Sequence, residues 1–128
     1  MKRLVIMLTA LLGITVLLIL LMDLRTKSDL KSLVFADIDM AVMADGIYRG
    51  KAETSLIKAE VEAETAGNRI ISVRILKHDS GLGKKAEQII SDMLRMNNYD
   101  VDVISGATAS SQVIKCAVSA ALAEGQPK

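Results

Sequence analysis

The chain has 128 residues, enough for one domain, and 51% of them are hydrophobic, with a mean hydropathy of +0.35. Those values exclude a disordered tail and a collagen-like fibre. Charge argues against nucleic acid: 16 basic residues stand against 15 acidic ones, and no basic stripe interleaved with aromatics supplies phosphate tracking or base stacking.

The hydrophobic excess is concentrated at the start. Leu4–Met22 is an uncharged run of 19 residues. As a helix it spans roughly 28 Å, about one hydrocarbon core. A cleaved signal peptide has a shorter apolar region with a small-residue cleavage site close behind it. Here the nearest such pattern, Val34-Phe35-Ala36, lies far past the run. Residues 1–22 are therefore expected to be an uncleaved single-pass anchor. Lys2 and Arg3 before the run nearly balance Arg25, Lys27 and Lys31 after it, so the positive-inside rule does not set its orientation. Residues 23–44, which mix charges with Leu30, Leu33, Val34 and Phe35, read as a juxtamembrane stalk, and residues 45–125 as the globular domain.

Gly46–Glu53, entered through Asp45-Gly46, reads as a first strand. Leu56–Ala66 alternates: Ile57, Ala59, Val61 and Ala63 face one way, Lys58, Glu60, Glu62 and Glu64 the other. The glutamate row is expected to be the wet face of that strand. Gly67-Asn68 supplies a turn that tolerates positive φ. Arg69–His78 returns as a third strand, with Ile71, Val73 and Ile75 expected on the buried face. The period then changes. Ala86, Ile89, Ile90, Met93 and Leu94 predict a helix over about 84–97, and Val101 and Val103 a short extended piece. Val113, Ile114, Ala117, Val118, Ala121 and Leu122 predict an amphipathic helix over about 109–123, stopped by Gly125 and Pro127. The fold class is α+β: a small antiparallel sheet covered on one face by two helices, preceded by one transmembrane helix.

The side-chain inventory is narrow. Phe35, Tyr48 and Tyr99 are the only aromatics, Cys116 the only cysteine and His78 the only histidine. An internal disulfide, a multi-cysteine metal site and the usual zinc constellations are excluded. Cys116, among Val113 and Ala117, reads as a small core residue. The informative stretch is Asp102-Val103-Ile104-Ser105-Gly106-Ala107-Thr108-Ala109-Ser110-Ser111, which leads into the last helix. A helix start offers unpaired N–H groups and partial positive charge, which suit a phosphate. Gly106 and Ala107 let a bulky group approach the backbone, and Ser110 and Ser111 offer hydroxyls to phosphate oxygens. On these residues alone a plainer reading stands beside that one: Thr108 caps the helix.

The pattern Asp102-x-x-Ser105-Gly106-Ala107-Thr108-x-Ser110 resembles the flavinylation motif of the FMN-binding domain family, which includes small subunits of sodium-translocating NADH:quinone reductases and Rnf-type complexes. Asp45-Gly46-Ile47-Tyr48-Arg49-Gly50 resembles the family's opening strand. His78-Asp79-Ser80-Gly81-Leu82-Gly83-Lys84-Lys85-Ala86-Glu87 resembles its central glycine-rich turn, although many members carry Thr-Pro where Asp79-Ser80 stands here. The resemblance implies an FMN joined by a phosphoester to Thr108. A flavin transferase would donate it from FAD, with Asp102 and Ser105-Gly106-Ala107 as the recognised run. Attachment in the family is extracytoplasmic, so the domain is expected on that side of the cell membrane. Gly81 and Gly83 could offer N–H groups to the flavin or its phosphate, or form a plain strand-to-helix turn; His78 could lie beside the ring or simply be solvated, and Tyr48 could edge the ring or pack on the sheet. With so few aromatics the flavin is expected to be largely exposed, exchanging electrons with membrane or extracytoplasmic redox proteins. This implies a carrier with no catalytic residues of its own and no metal. Two alternatives stand beside it: a non-covalent FMN-binding protein or reductase component, and a non-redox anchored interaction module. Membership of a larger ion-pumping complex would change its partners, not its chemistry.

Overall fold

The computed structural model describes residues 1–79 and 83–128. Gly81, expected at the flavin, lies outside the described residues. Helix α1, Lys2–Lys31, runs 30 residues with none buried. It takes in the apolar run and the first part of the expected stalk without a break. Among the described residues it is the one helix long and apolar enough to cross a membrane.

Three antiparallel strands follow in sequence order: β1 (Gly46–Glu53), β2 (Lys58–Ala66) and β3 (Arg69–Asp79). Gly67 (φ 56°) and Asn68 (φ 61°) make the two-residue hairpin whose left-handed backbone matches strand twist. Ile57, Ala59, Val61 and Ala63 are buried on the inner face, as the alternation requires. On the outer face Glu62 lies between Arg49 and Arg74, at 3.0 and 3.2 Å, so the glutamate row is a solvated face tied across strands.

The inner face of β3 differs from expectation. The sheet's register shifts twice along this strand. The first shift leaves Ile71 without a partner and 49% exposed, and Ile70 takes its place in the core. The second leaves Leu76 unpaired, so that His78 comes to lie opposite buried Ala59. A bulge adds one residue and moves every later side chain to the other face. Strict alternation from Ile71 could not anticipate either shift.

A 3-10 helix (Gly83–Gln88) leads into α2 (Ile89–Met96), which ends on left-handed Asn97. The expected helix over 84–97 thus begins as the tighter form. The stretch around Val101 and Val103 is irregular, not a strand. Helix α3 spans Thr108–Ala123. It is not amphipathic in place, because Ser111, Lys115, Cys116 and Ser119 are buried together with its apolar residues. One side packs on the sheet so closely that a Cβ on Gly50 would meet Ala117 O at 2.1 Å. The other side is crossed by the chain that follows α1. The Ala36 N–H donates to Ser119 Oγ (2.7 Å), the Cys116 thiol to Val34 O (3.2 Å), and the Tyr99 hydroxyl to Ala36 O (2.9 Å). The α+β class stands, with α2 and α3 on one face of the sheet and a strap over α3.

Candidate functional site

The approach to α3 is held by a short circuit of hydrogen bonds. The Ala107 N–H donates to Ile104 O (2.9 Å), closing a four-residue turn. Gly106 is its third residue, with φ 75°, which a type II turn requires and which glycine adopts without strain. Ser111 then locks the turn onto the helix. Its hydroxyl accepts from the Ile104 N–H (3.0 Å) and donates to Ala107 O (2.7 Å). Ser111 was expected at the phosphate; its one proton and its exposure are both committed to this clamp. Ser110 is buried as well, at 2% exposure.

Thr108 is the first residue of α3, and Ala107 occupies the cap position, with no side chain capping the helix. The plainer reading, in which the Thr108 hydroxyl serves as the cap, is therefore set aside. Thr108, Ser105, Gly106 and Asp102 are exposed, while Ala107 is buried beneath them. A helix start has N–H groups without intrahelical partners, and its dipole favours an anion there. Lys85, on the 3-10 helix, reaches over the turn: a Cβ built on Gly106 would lie 2.7 Å from Lys85 Nζ. Lys85 was not singled out in the sequence, because only the fold brings it across to Gly106. An exposed hydroxyl, an uncapped helix start, a bare glycine backbone and an ammonium thus share one spot. These features fit the phosphate end of a flavin nucleotide.

His78 lies at the same end of the molecule. Its Nδ1 is 3.1 Å from Glu87 Oε1, on the 3-10 helix that also carries Gly83 and Lys85. Its side chain is 2% exposed, and Nε2 is buried with no hydrogen-bond partner among the described residues. It is enclosed between layers, not presented at the surface. Tyr48 is a correction. Its ring packs where a Cβ on Gly125 would lie 2.8 Å from it, and its hydroxyl donates to Ala44 O (3.1 Å). Gly125 follows the far end of α3, and a helix of 16 residues separates the two ends by roughly 24 Å. Tyr48 closes the opposite end of the core and does not edge a flavin at Thr108.

The family model described as FMN-binding domain matches residues 54–123, more than half of the chain. No curated protein matches it. The chain belongs to the FMN-binding domain family, and it is a flavin-binding protein. The matched residues run from the β1–β2 connection to the end of α3. They leave out β1, which nonetheless completes the sheet and packs on α3 through Gly50.

Proposed function

We propose that the protein is a membrane-anchored, extracytoplasmic electron carrier whose FMN is attached to Thr108. The observation that carries this is Thr108 itself: exposed, and the first residue of α3, whose start no side chain caps. In the attachment step Thr108 Oγ1 forms the new bond to the FMN phosphorus of FAD. The pyrophosphate P–O bond breaks, AMP leaves, and the hydroxyl proton is lost to a base of the transferase. Gly106 gives the transferase room at the backbone, and Asp102 and Ser105 stand exposed for recognition. Lys85 and the first-turn N–H groups then hold the phosphodiester anion. Bound FMN supplies one- and two-electron redox chemistry; the chain supplies position and charge. Covalent attachment is physically sensible where free FMN is dilute, since a merely bound cofactor would be lost by mass action.

The exposed surroundings of Thr108 support exchange with protein partners in preference to catalysis on an enclosed substrate. The apolar helix α1 supports the anchor. The test is the intact mass of full-length protein co-expressed with a flavin transferase, together with in-gel fluorescence after denaturation. Wild type is expected to carry one FMN phosphoryl adduct, and Thr108→Ala none. Retained fluorescence in the alanine variant would overturn the assignment. Colourless wild type of unmodified mass would favour the non-redox module. Flavin that is lost on denaturation would favour non-covalent binding.

A further inference from the structure

The sheet has two hairpin tips, and they differ. At one end Gly67-Asn68 is a polar tip of the kind hairpins present to water. At the other end the β1–β2 connection turns through Ser55-Leu56. The Thr54 N–H donates to Ile57 O (2.8 Å) and the Ile57 N–H to Thr54 Oγ1 (3.1 Å), which closes the turn. Ile57 enters the core, whereas Leu56 stands at the tip, 55% exposed. Ser55, beside it, is bonded through its N–H and its hydroxyl to Asp29 of α1. Asp29 lies seven residues past Met22, where the apolar run ends. Along a helix that is roughly 10 Å. Headgroups add about 5–8 Å to each side of the hydrocarbon. With α1 across a bilayer, the Leu56 tip therefore stands at the lipid–water boundary. Cations gather at the same end. Lys51, Lys58 and Lys77 line a cleft of about 370 Å³ at the foot of the hairpin, with Glu53 and Glu60 as its carboxylates. Lys58 is 3.5 Å from Glu53 and Lys77 is 3.4 Å from Asp79. More than half of each of these side chains is exposed, so the pairs hold their ammoniums only weakly. Arg25, Lys27 and Lys31 of α1 add positive charge just past the apolar run, against Asp23 and Asp29. The opposite end of the sheet has the other sign: Asp39, Asp45, Glu64 and Glu124 stand there with Arg69.

We propose that this end of the domain is a lipid-binding surface: Leu56 enters the headgroup layer, and Lys51, Lys58 and Lys77 bind the phosphates of anionic lipids. The surface rests on the proposed anchoring by α1 and is independent of flavin attachment. An apolar side chain flanked by ammoniums is the combination that holds a surface to an anionic interface, by burial of the first and attraction of the second. Lysine stems lie along apolar material while their heads reach phosphate. A single helix leaves the domain it carries free to swing. The Asp29–Ser55 bonds and the Leu56 contact together give a second point of attachment, which fixes how the domain is turned against the bilayer.

The chain has no tryptophan, so Leu56→Trp and Ile47→Trp each supply a single indole. Ile47 is 62% exposed and lies at the other end of β1, opposite Glu64, and both sites are open enough for the variants to fold. The test uses the full-length variants reconstituted in phosphatidylcholine vesicles with and without phosphatidylglycerol. Quenching by nitroxide-headgroup lipids is read as the ratio to vesicles that lack them. The indole at position 56 should emit farther to the blue and be quenched several-fold more strongly than the one at 47, and phosphatidylglycerol should widen the difference. Adding Lys51→Gln, Lys58→Gln and Lys77→Gln together to Leu56→Trp should abolish the effect of phosphatidylglycerol, as should high salt, which screens exposed charges. Equal quenching at 56 and 47, or a response to phosphatidylglycerol that survives the three neutralisations, overturns the lipid-binding surface. An alkaline carbonate wash separates that failure from failure of the anchor. Protein that stays in the vesicles with equal quenching keeps the anchor and loses the surface. Protein that is washed off loses the anchor, and the surface with it.

Discussion

At the scale of single residues, glycine marks the places where backbone must come close. A Cβ on Gly50 would fall 2.1 Å from Ala117 O and 2.3 Å from Ala121 N. Both contacts are main chain in the middle of α3, so no side chain can swing aside. Gly50→Ala should cost about 3 kcal/mol or more by forcing strand and helix apart. Urea titration followed by circular dichroism measures this, and a loss near zero would mean the β1–α3 contact is looser than described. The residues of the candidate site were legible to different degrees. Thr108 and Gly106 were visible because the chemistry of a helix start is local. Lys85 was not, because an ammonium twenty-one residues upstream of Gly106 has no sequence signature. Lys115 carried a faint signal: a charge inside the apolar series Val113-Ile114-Lys115-Cys116 asks for a partner, and Asp100 is that partner. Tyr48 reads two ways in the sequence, edging the flavin or packing on the sheet, and the antiparallel run of β1 carries it toward Gly125, where it packs.

At the scale of elements, the strap over α3 was the least legible part. Leu30, Leu33, Val34 and Phe35 signalled apolar contacts, but the pattern could not separate a bilayer from the domain as the surface they meet. In place, the strap turns one side of α3 into interior, which is why an amphipathic period ended in a helix buried nearly all round. The strands were legible in extent, and their bulges were not, since a period of two has no sign for an inserted residue. The strap is held by groups that titrate. Burial raises Tyr99 above its ordinary value of 10.0, helped by the charge of Asp100, and burial raises Cys116 above 9.0. For both, the folded state favours the protonated form. Their contribution is full below the unfolded value and is lost as pH rises through the folded one. Thermal stability should therefore fall from about pH 9 to pH 11. Tyr99→Phe combined with Cys116→Ala should flatten that fall, although Tyr99→Phe also loses about 1 kcal/mol with the bond to Ala36. Equal slopes in variant and wild type would show that other groups govern the alkaline limb.

At the scale of the whole molecule, the direction in which the site faces follows from three contacts. Asp29, near the end of α1, bonds both the N–H and the hydroxyl of Ser55 in the β1–β2 connection. Glu53, Lys58 and Asp79 share that end of the sheet by register. Gly50 meets the middle of α3, and Tyr48 reaches its C-terminal end at Gly125, so the continuation of β1 lies toward the start of α3. Thr108 is thus at the end of the domain tied to α1, and Glu124 is at the far end. On the proposed anchoring, the flavin would lie near the headgroups and its redox partners in or on the bilayer. The geometry can be read without any flavin, because Cys116 is the chain's single cysteine and is buried. Ser105→Cys and Glu124→Cys each supply one exposed thiol for an environment-sensitive fluorophore. In vesicles containing lipids with nitroxide-labelled headgroups, the label at position 105 should be strongly quenched. The label at 124 lies about 24 Å farther along the helix and should be nearly unaffected. Equal quenching at the two positions, or stronger quenching at 124, would mean that the domain does not present its helix start to the membrane. The partners would then have to be sought among soluble proteins.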